Sequence, residues 1–388
     1  MSEATVIKPD LQFVNELIKG GGESLKKCYQ CATCSVVCNV TPEGNPFPRK
    51  EMVLAQWGQK DKLITSPDVW LCHQCSDCTA YCPRGAKPGE VLNAIRKQSI
   101  KHVAMVPLFA KIATDAKLLP VLFAIPMVLF YIVLIVLGNT NISAIPRAEG
   151  GIMAYHKFVP VPVIDTIFIL TAIFAGFSAF IGIKRMWNGM KAQAGETAST
   201  GNIVNDVISS ITTILAHSKF ADCNVNRLRQ WGHMALFYAF AGLAVTTTWA
   251  IMYLYGYELL GIKAFSVFHF GEAPYPMTDP MKMLALASSI AFAIGIAIIL
   301  FNRLAAAGKA GLGSYFDWIF LLIVVGVGAT GMLSWALRLA DMNLGYLVYY
   351  FHLVFVWSLF AYAPYSKFAH LFYRTTAMVF AKNSGREK

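Results

Sequence analysis

The chain has 388 residues, 56% hydrophobic and only 14% charged, with a net charge of +11 and a mean hydropathy of +0.51. Soluble domains carry about 25% charged residues and disordered chains lack apolar ones, so neither class fits. The averages cover two unlike parts, because residues 1–117 read as polar and the remainder as a series of apolar runs.

Two copies of one cysteine pattern come first. Cys28, Cys31, Cys34 and Cys38 form one run, and Cys72, Cys75, Cys78 and Cys82 form the other, with Pro83 directly after it. Two-residue gaps let three thiolates face three corners of one 4Fe–4S cubane, while the fourth cysteine reaches the other cube. The spacing predicts one cluster on Cys28, Cys31, Cys34 and Cys82, and a second on Cys72, Cys75, Cys78 and Cys38. Zinc sites take separated pairs rather than four-cysteine runs. A disulfide framework needs an oxidising compartment, and no cleavable signal peptide is visible. Asn39 stands where the second run has its proline, and Pro42 follows nearby. The ninth cysteine, Cys223, reads as a buried or interfacial thiol rather than a ligand.

From Pro88 to Lys117, lysines interleave with apolar residues, which predicts an amphipathic segment on the inner membrane face. Six apolar runs of bilayer-spanning length follow, at about 118–138, 163–185, 232–256, 284–304, 315–337 and 346–366. The first contains Pro120 and Pro126, tolerable in a membrane helix as a kink. Residues 195–201 read as a loop, and Gly201–Cys223 as a second amphipathic segment. Basic residues such as Lys184, Arg185, Arg227, Arg229, Arg303 and Arg374 fall on one side of this topology. The positive-inside rule then places both the cysteine domain and the C-terminus in the cytoplasm. The charge is explained by membrane flanks and lipid contact, and nucleic-acid binding has no motif to support it. The expected architecture is a mostly α-helical ferredoxin-type two-cluster domain over 1–117, then an all-α membrane domain of about six transmembrane helices over 118–388.

Histidines suggest a further cofactor. His352 and His370 are 18 positions apart, which on one helix is five whole turns and about 27 Å, with both on one face. That arrangement suits two haems b, one near each membrane surface. His233, at the start of the third span, pairs with His370 around an inner haem. The third span offers no further histidine for an outer haem, so His156 and His269 remain as partners for His352, and the aromatic neighbours of His269 favour it. His217 and His102 are weaker candidates, and His73 lies between cluster cysteines. Near the outer haem, Glu272 in the loop 268–275 could accept a proton from a quinol as its electron leaves.

The stretch Cys-Tyr-Gln-Cys-Ala-Thr-Cys-Ser-Val-Val-Cys38, with Phe-Pro-Arg49, Val-Trp-Leu-Cys-His-Gln-Cys75 and Tyr-Cys-Pro-Arg-Gly85, resembles the iron–sulfur C subunit of heterodisulfide reductase. The membrane part, chiefly the helix of His352 and His370, resembles that enzyme's haem b E subunit, itself similar to the gamma subunit of respiratory nitrate reductase. Joined in one chain, they resemble the C subunit of the quinone-interacting membrane-bound oxidoreductases (Qmo) of sulfate reducers. The resemblance implies menaquinone as electron carrier and two soluble flavin and iron–sulfur partners resembling the A subunit of heterodisulfide reductase, with adenylylsulfate reductase beyond them. The heterodisulfide-cleaving Cys-Cys-Gly motif, a P-loop and a nucleotide-binding glycine fingerprint are absent from the sequence. The expected function is therefore electron transfer within an inner-membrane oxidoreductase complex. A heterodisulfide-type or sulfite-reducing complex, or a non-redox membrane anchor, is the alternative.

Overall fold

A computed structural model describes residues 8–147, 151, 153–195, 201–223, 227–268, 277–305, 307 and 313–386. Among these residues there are helices and turns but no strand. Around the cysteines lie α1 (Leu11–Leu17), α2 (Thr33–Val36), α3 (Arg49–Gln56), α4 (Lys60–Ile64), α5 (Pro67–Leu71) and α6 (Asp77–Ala80). Then come α7 (Pro88–Val103), α8 (Pro107–Thr114), α9 (Leu119–Leu137), α10 (Tyr155–Phe158), α11 (Val161–Ala194) and α12 (Ile203–Ala216). The chain continues with α13 (Arg227–Ile251), α14 (Pro280–Ala305), α15 (Tyr315–Leu339), α16 (Leu344–Ala361) and α17 (His370–Asn383).

Local chemistry sets several of these ends. Prolines open α7, α8 and α9, where the missing N–H has no helical partner to lose. Gly138, left-handed at φ 72°, closes α9, as a C-terminal glycine does. Ser314 and Asp317 cap α15 reciprocally.

Among the described residues six helices are long and apolar enough to cross a membrane: Ala116–Leu137, Val161–Ala194, Leu228–Leu259, Pro280–Ala305, Tyr315–Leu339 and Leu344–Ala361. Each falls on one expected run. The fold class is therefore as the sequence suggests: a helical two-cluster segment followed by six candidate spans. The chain divides into two compact units, Met1–Asn226 with Ala306–Lys388, and Arg227–Ala305. In the smaller unit α13 packs on α14 at glycines. A Cβ on Gly232 would stand 2.9 Å from Ile298, and one on Gly295 would stand 3.0 Å from the Gly232 carbonyl, a close approach typical of membrane helix pairs.

In the larger unit the centre is α7, and here the structure corrects an expectation. Its apolar residues Val91, Leu92, Ile95 and Ile100 are buried, but so are Asn93, Arg96, Lys97 and Ser99, so α7 does not lie on a membrane face. Burial is tolerable because each polar group finds a partner. Arg96 donates to the carbonyls of Val69 and Cys72, Lys97 to that of Gly20, and Asn93 to Asp317. Pro107 then starts the separate helix α8. The second amphipathic expectation fares differently. Helix α12 exposes Ile203, Val204, Ile208, Ile211 and Leu215 along one stripe, while Ser209 and Asp206 bond Lys382 and Asn383 of α17.

The second correction concerns the last span. It does not run on to His370: α16 ends at Ala361, turns follow, and α17 begins afresh at His370. Pro364 lies in the break, where it has no N–H to continue a helical ladder. The five-turn, 27 Å relation between His352 and His370 therefore does not hold.

Candidate metal centres

The two cysteine runs fold alike. Gln30 and Ala32 in the first, and Gln74 and Ser76 in the second, occupy left-handed conformations at φ 65°, 67°, 53° and 73°. None is glycine, so each costs about 1–3 kcal/mol. The repetition at matching positions marks a loop shaped around an object. One-turn helices α2 and α6 follow, carrying the third cysteine of each run, and Cys38 and Cys82 lie just beyond them. In the second loop the Gln74 N–H donates to Cys72 Sγ at 3.3 Å, the inward amide geometry that suits anionic sulfur.

The thiols influence one another in two groups. Burial, then the neighbouring Cys28, Cys31 and Cys82, push the Cys34 thiol up to about 11. Burial, then Cys72 and Cys75, push Cys38 up to about 12. Cys78 is raised by burial and by Cys72, Cys75 and Cys38. Cys82 thus neighbours the first run and Cys38 the second, the exchange that two interleaved clusters require. Among the described residues no three His, Cys, Asp or Glu side chains converge on a single-ion site. A cubane spreads its thiolates over four corners, wider than one ion does. Crowded buried thiols ionise poorly alone and are readily deprotonated by a cationic iron core, so the residues fit two 4Fe–4S clusters.

The surroundings of the two loops differ. Cys31 is exposed, and the Thr33 hydroxyl beside it holds its thiol below the usual value. Tyr29, Val36 and Tyr81 are exposed around this loop, with Arg84 over the Tyr29 ring at 4.0 Å. Cys72 and Cys78 are buried, and three cations reach their loop. Arg96 donates to the Cys72 carbonyl, Arg374 to His73 Nε2, and Lys367 to Gln74 Oε1 at 3.3 Å. Lys367 also pairs with buried Asp317. None of these cations is tied to the cysteines by the sequence, and no local signal marks the contact: Arg374 and His73 are 301 positions apart.

His352 and His370 share one feature. His352 Nδ1 lies 3.1 Å from Thr330 Oγ1, and that hydroxyl donates to the Gly326 carbonyl at 2.5 Å. His370 Nδ1 donates to the Lys367 carbonyl at 2.7 Å. A proton fixed on Nδ1 leaves Nε2 as the lone-pair nitrogen, the state of a metal-ligating histidine with its outer partner in place. A side chain at Gly331 would meet His352 at 2.9 Å, so α15 leaves room for this ring. These donors fit a haem iron. Burial holds His370 down to about 4, which keeps its imidazole neutral. His233 lies near the start of α13, half-buried. His156 and His102 are exposed. Helix α10 instead turns Tyr155 inward, stacked on Tyr349 at 4.4 Å. His269 and Glu272 lie outside the described residues. His73 and His217 are buried, each against Phe220.

Residues 24–86 match the family described as 4Fe-4S dicluster domain. The chain carries a 4Fe–4S dicluster domain. Curated relatives align with the same part of the molecule. The C subunit of the H(2):CoB-CoM heterodisulfide,ferredoxin reductase of Methanothermobacter marburgensis is 35% identical over 101 residues, 25% of this chain and 53% of that protein. A protein of Archaeoglobus profundus described as like the C subunit of heterodisulfide reductase is 35% identical over 94 residues, 24% of this chain and 50% of its own. The iron-sulfur C subunit of the CoB--CoM heterodisulfide reductase of Methanopyrus kandleri is 33% identical over 101 residues, 24% and 53%. The chain spans about half the length of the curated relatives it matches. No solved structure matches. The N-terminal part is thus an iron–sulfur domain related to the C subunit of heterodisulfide reductases, joined here to six apolar helices long enough to span a membrane.

Proposed function

We propose that this chain is the membrane electron-transfer subunit of a quinone-linked oxidoreductase, with its cluster domain facing the cytoplasm. It carries electrons between menaquinol and soluble flavin and iron–sulfur subunits that serve adenylylsulfate reductase. Cys28, Cys31, Cys34 and Cys82 hold one cluster, and Cys72, Cys75, Cys78 and Cys38 the other. His352 and His370 hold haem b, with His233 completing the inner site and His156 or His269 the outer. The bound haems and clusters supply one-electron acceptors and donors; the chain's own residues position them.

One observation carries this reading. Helix α17 begins at His370, and one turn on its Arg374 bonds His73 in the second cysteine loop. On the preceding turn the Lys367 carbonyl accepts the hydrogen bond of His370 Nδ1 while its ammonium reaches Gln74 of that loop. The proposed haem ligand and the second cluster loop are therefore held by one short stretch of chain. A membrane anchor without redox work has no need of that coupling.

The test is spectroscopic. Chain purified from membranes is expected to show haem b absorption that a menaquinol analogue reduces, together with two iron–sulfur signals. His370→Gln and His352→Gln are each expected to remove one haem while sparing the iron–sulfur signals. Full haem content in both variants would refute the assignment, and absence of haem from the native protein would favour the anchor. The relatives' names favour one second reading, membership of a heterodisulfide-reducing complex; the soluble subunits that co-purify distinguish the two.

A further inference from the structure

Each cysteine loop carries a left-handed glutamine directly before its second cysteine, Gln30 at φ 65° and Gln74 at φ 53°. The two side chains are anchored differently. That of Gln30 donates to Gln56 Oε1, a neutral partner whose own amide is committed to the Leu25 and Cys28 carbonyls at 3.0 Å. Gln74 Oε1 instead accepts from the Lys367 ammonium at 3.3 Å. That ammonium is itself fixed, because it also pairs with Asp317 Oδ1. The Asp317 carboxylate is only 2% exposed, and its other oxygen takes the Asn93 amide at 3.0 Å and the Ser314 N–H and hydroxyl at 2.9 Å each. With both oxygens bonded, the carboxylate holds the lysine rather than following it.

We propose that Lys367 is a positioning residue for the second cluster. Held by Asp317, it fixes Gln74, whose N–H donates to Cys72 Sγ at 3.3 Å, and it brings a positive charge to that loop. Hydrogen bonds to cluster sulfur and nearby charge are among the protein's means of setting the reduction potential. The reduced cluster carries one more negative charge than the oxidised, so the ammonium raises the potential and the carboxylate behind it opposes that rise. In the first loop Arg49 reaches the Gln30 carbonyl at 3.0 Å, but it is exposed, where water and salt screen its charge. The device thus distinguishes two centres of identical ligand spacing.

The inference rests on the reading that the second run holds a cluster, which iron and sulfide analysis of the native protein checks apart from any potential. The test is a redox titration of both clusters by electron paramagnetic resonance in the full chain, for the native protein, Lys367→Met, Lys367→Arg and Asp317→Asn. Lys367→Met is expected to shift the one-electron equilibrium of the second cluster about three- to tenfold towards the oxidised form, about 28–59 mV lower. Lys367→Arg, which keeps the charge and the donors, is expected to recover most of that shift. Asp317→Asn leaves the lysine an amide oxygen and removes the opposing charge, so it is expected to raise the potential by about threefold, about 28 mV. The first cluster is expected to be unmoved in all three. An unchanged second potential in Lys367→Met, shifts of the same sign in Lys367→Met and Asp317→Asn, or equal shifts of both clusters would overturn the inference. Loss of the second cluster in both of those variants would also overturn it, making the pair a packing element instead. Should Lys367→Met alone lose the cluster, a raised potential in Asp317→Asn supports the assignment and an unchanged or lowered one opposes it.

Discussion

The two cysteine loops share spacing and backbone conformation yet sit in opposite settings. The first exposes Cys31 and is ringed by exposed Tyr29, Val36 and Tyr81. The second buries Cys72 and Cys78, is contacted by Arg96, Arg374 and Lys367, and has the Phe220 ring against His73. Cysteine spacing fixes the local loop because covalent coordination fixes where thiolates stand. What surrounds the loop comes from distant helices, and under the proposed function it is there that two equal clusters would be given different work. The exposed loop suits exchange with a soluble partner, and the cation-ringed loop suits exchange with the membrane helices.

The largest expected effect breaks the symmetry outright. Cys82→Ser should abolish the first cluster and Cys38→Ser the second, despite each lying in the other run. Separate resonance signals for the two clusters check this; loss of the signal from the same run in each variant would disprove the crossing. Next comes Arg96→Met. It leaves the Val69 and Cys72 carbonyls without their buried donor, at about 3 kcal/mol of unfolding free energy, and it lowers the second cluster's potential. Arg49→Met at the exposed loop, where the guanidinium donates to the Gln30 carbonyl at 3.0 Å, should cost only about 1 kcal/mol. Denaturant titration in detergent compares the two.

A third effect sharpens the electrostatic side of the contrast. Burial holds Lys97 down to about 8, against the attraction of Asp317 and with Lys101 and Lys367 adding repulsion. Between pH 8 and about 10.5 the unfolded chain keeps a proton that the folded chain has lost, so stability rises with pH across that window. Lys97→Met should flatten a rise of about 2–3 kcal/mol, seen by repeating the denaturant titration at each pH. The smallest effect belongs to the exposed loop. Thr33→Val removes the hydroxyl that favours the Cys31 thiolate, so alkylation of the iron-free protein at Cys31 should slow about two- to threefold near pH 8.

Legibility in the sequence follows the range of the forces involved. The cysteine runs were readable because their spacing reflects ligand geometry over ten residues, and the spans because their length reflects bilayer thickness. The His352–His370 register failed because helical periodicity was carried across Tyr362–Ser366, where Pro364 and the turns reset the phase. Helix α7 looked amphipathic because its interleaved lysines, Lys97 among them, read as solvent-seeking; the buried partners of Lys97, Arg96 and Asn93 lie up to 224 positions away.

Helix α11 carries a consequence for timing. Its 34 residues run unbroken from Val161 to Ala194, about 51 Å of rod, of which a bilayer's apolar layer takes about 30 Å. The remainder is bonded into the cysteine region. Arg185 donates to the Val103 and Ala104 carbonyls, and Gln193 to the Asp61 carbonyl and Thr65 hydroxyl at 2.6 and 2.7 Å. Gly189 and Gly182 let Thr65 and Tyr373 press against the rod where any Cβ would collide. A carrier on a flexible tether delivers its electron by swinging, and its turnover slows as the medium thickens. A cluster module riveted to a rod long enough to span a membrane keeps its distances constant, so under the proposed function its hand-offs are expected to run at the pace of the redox steps, indifferent to viscosity.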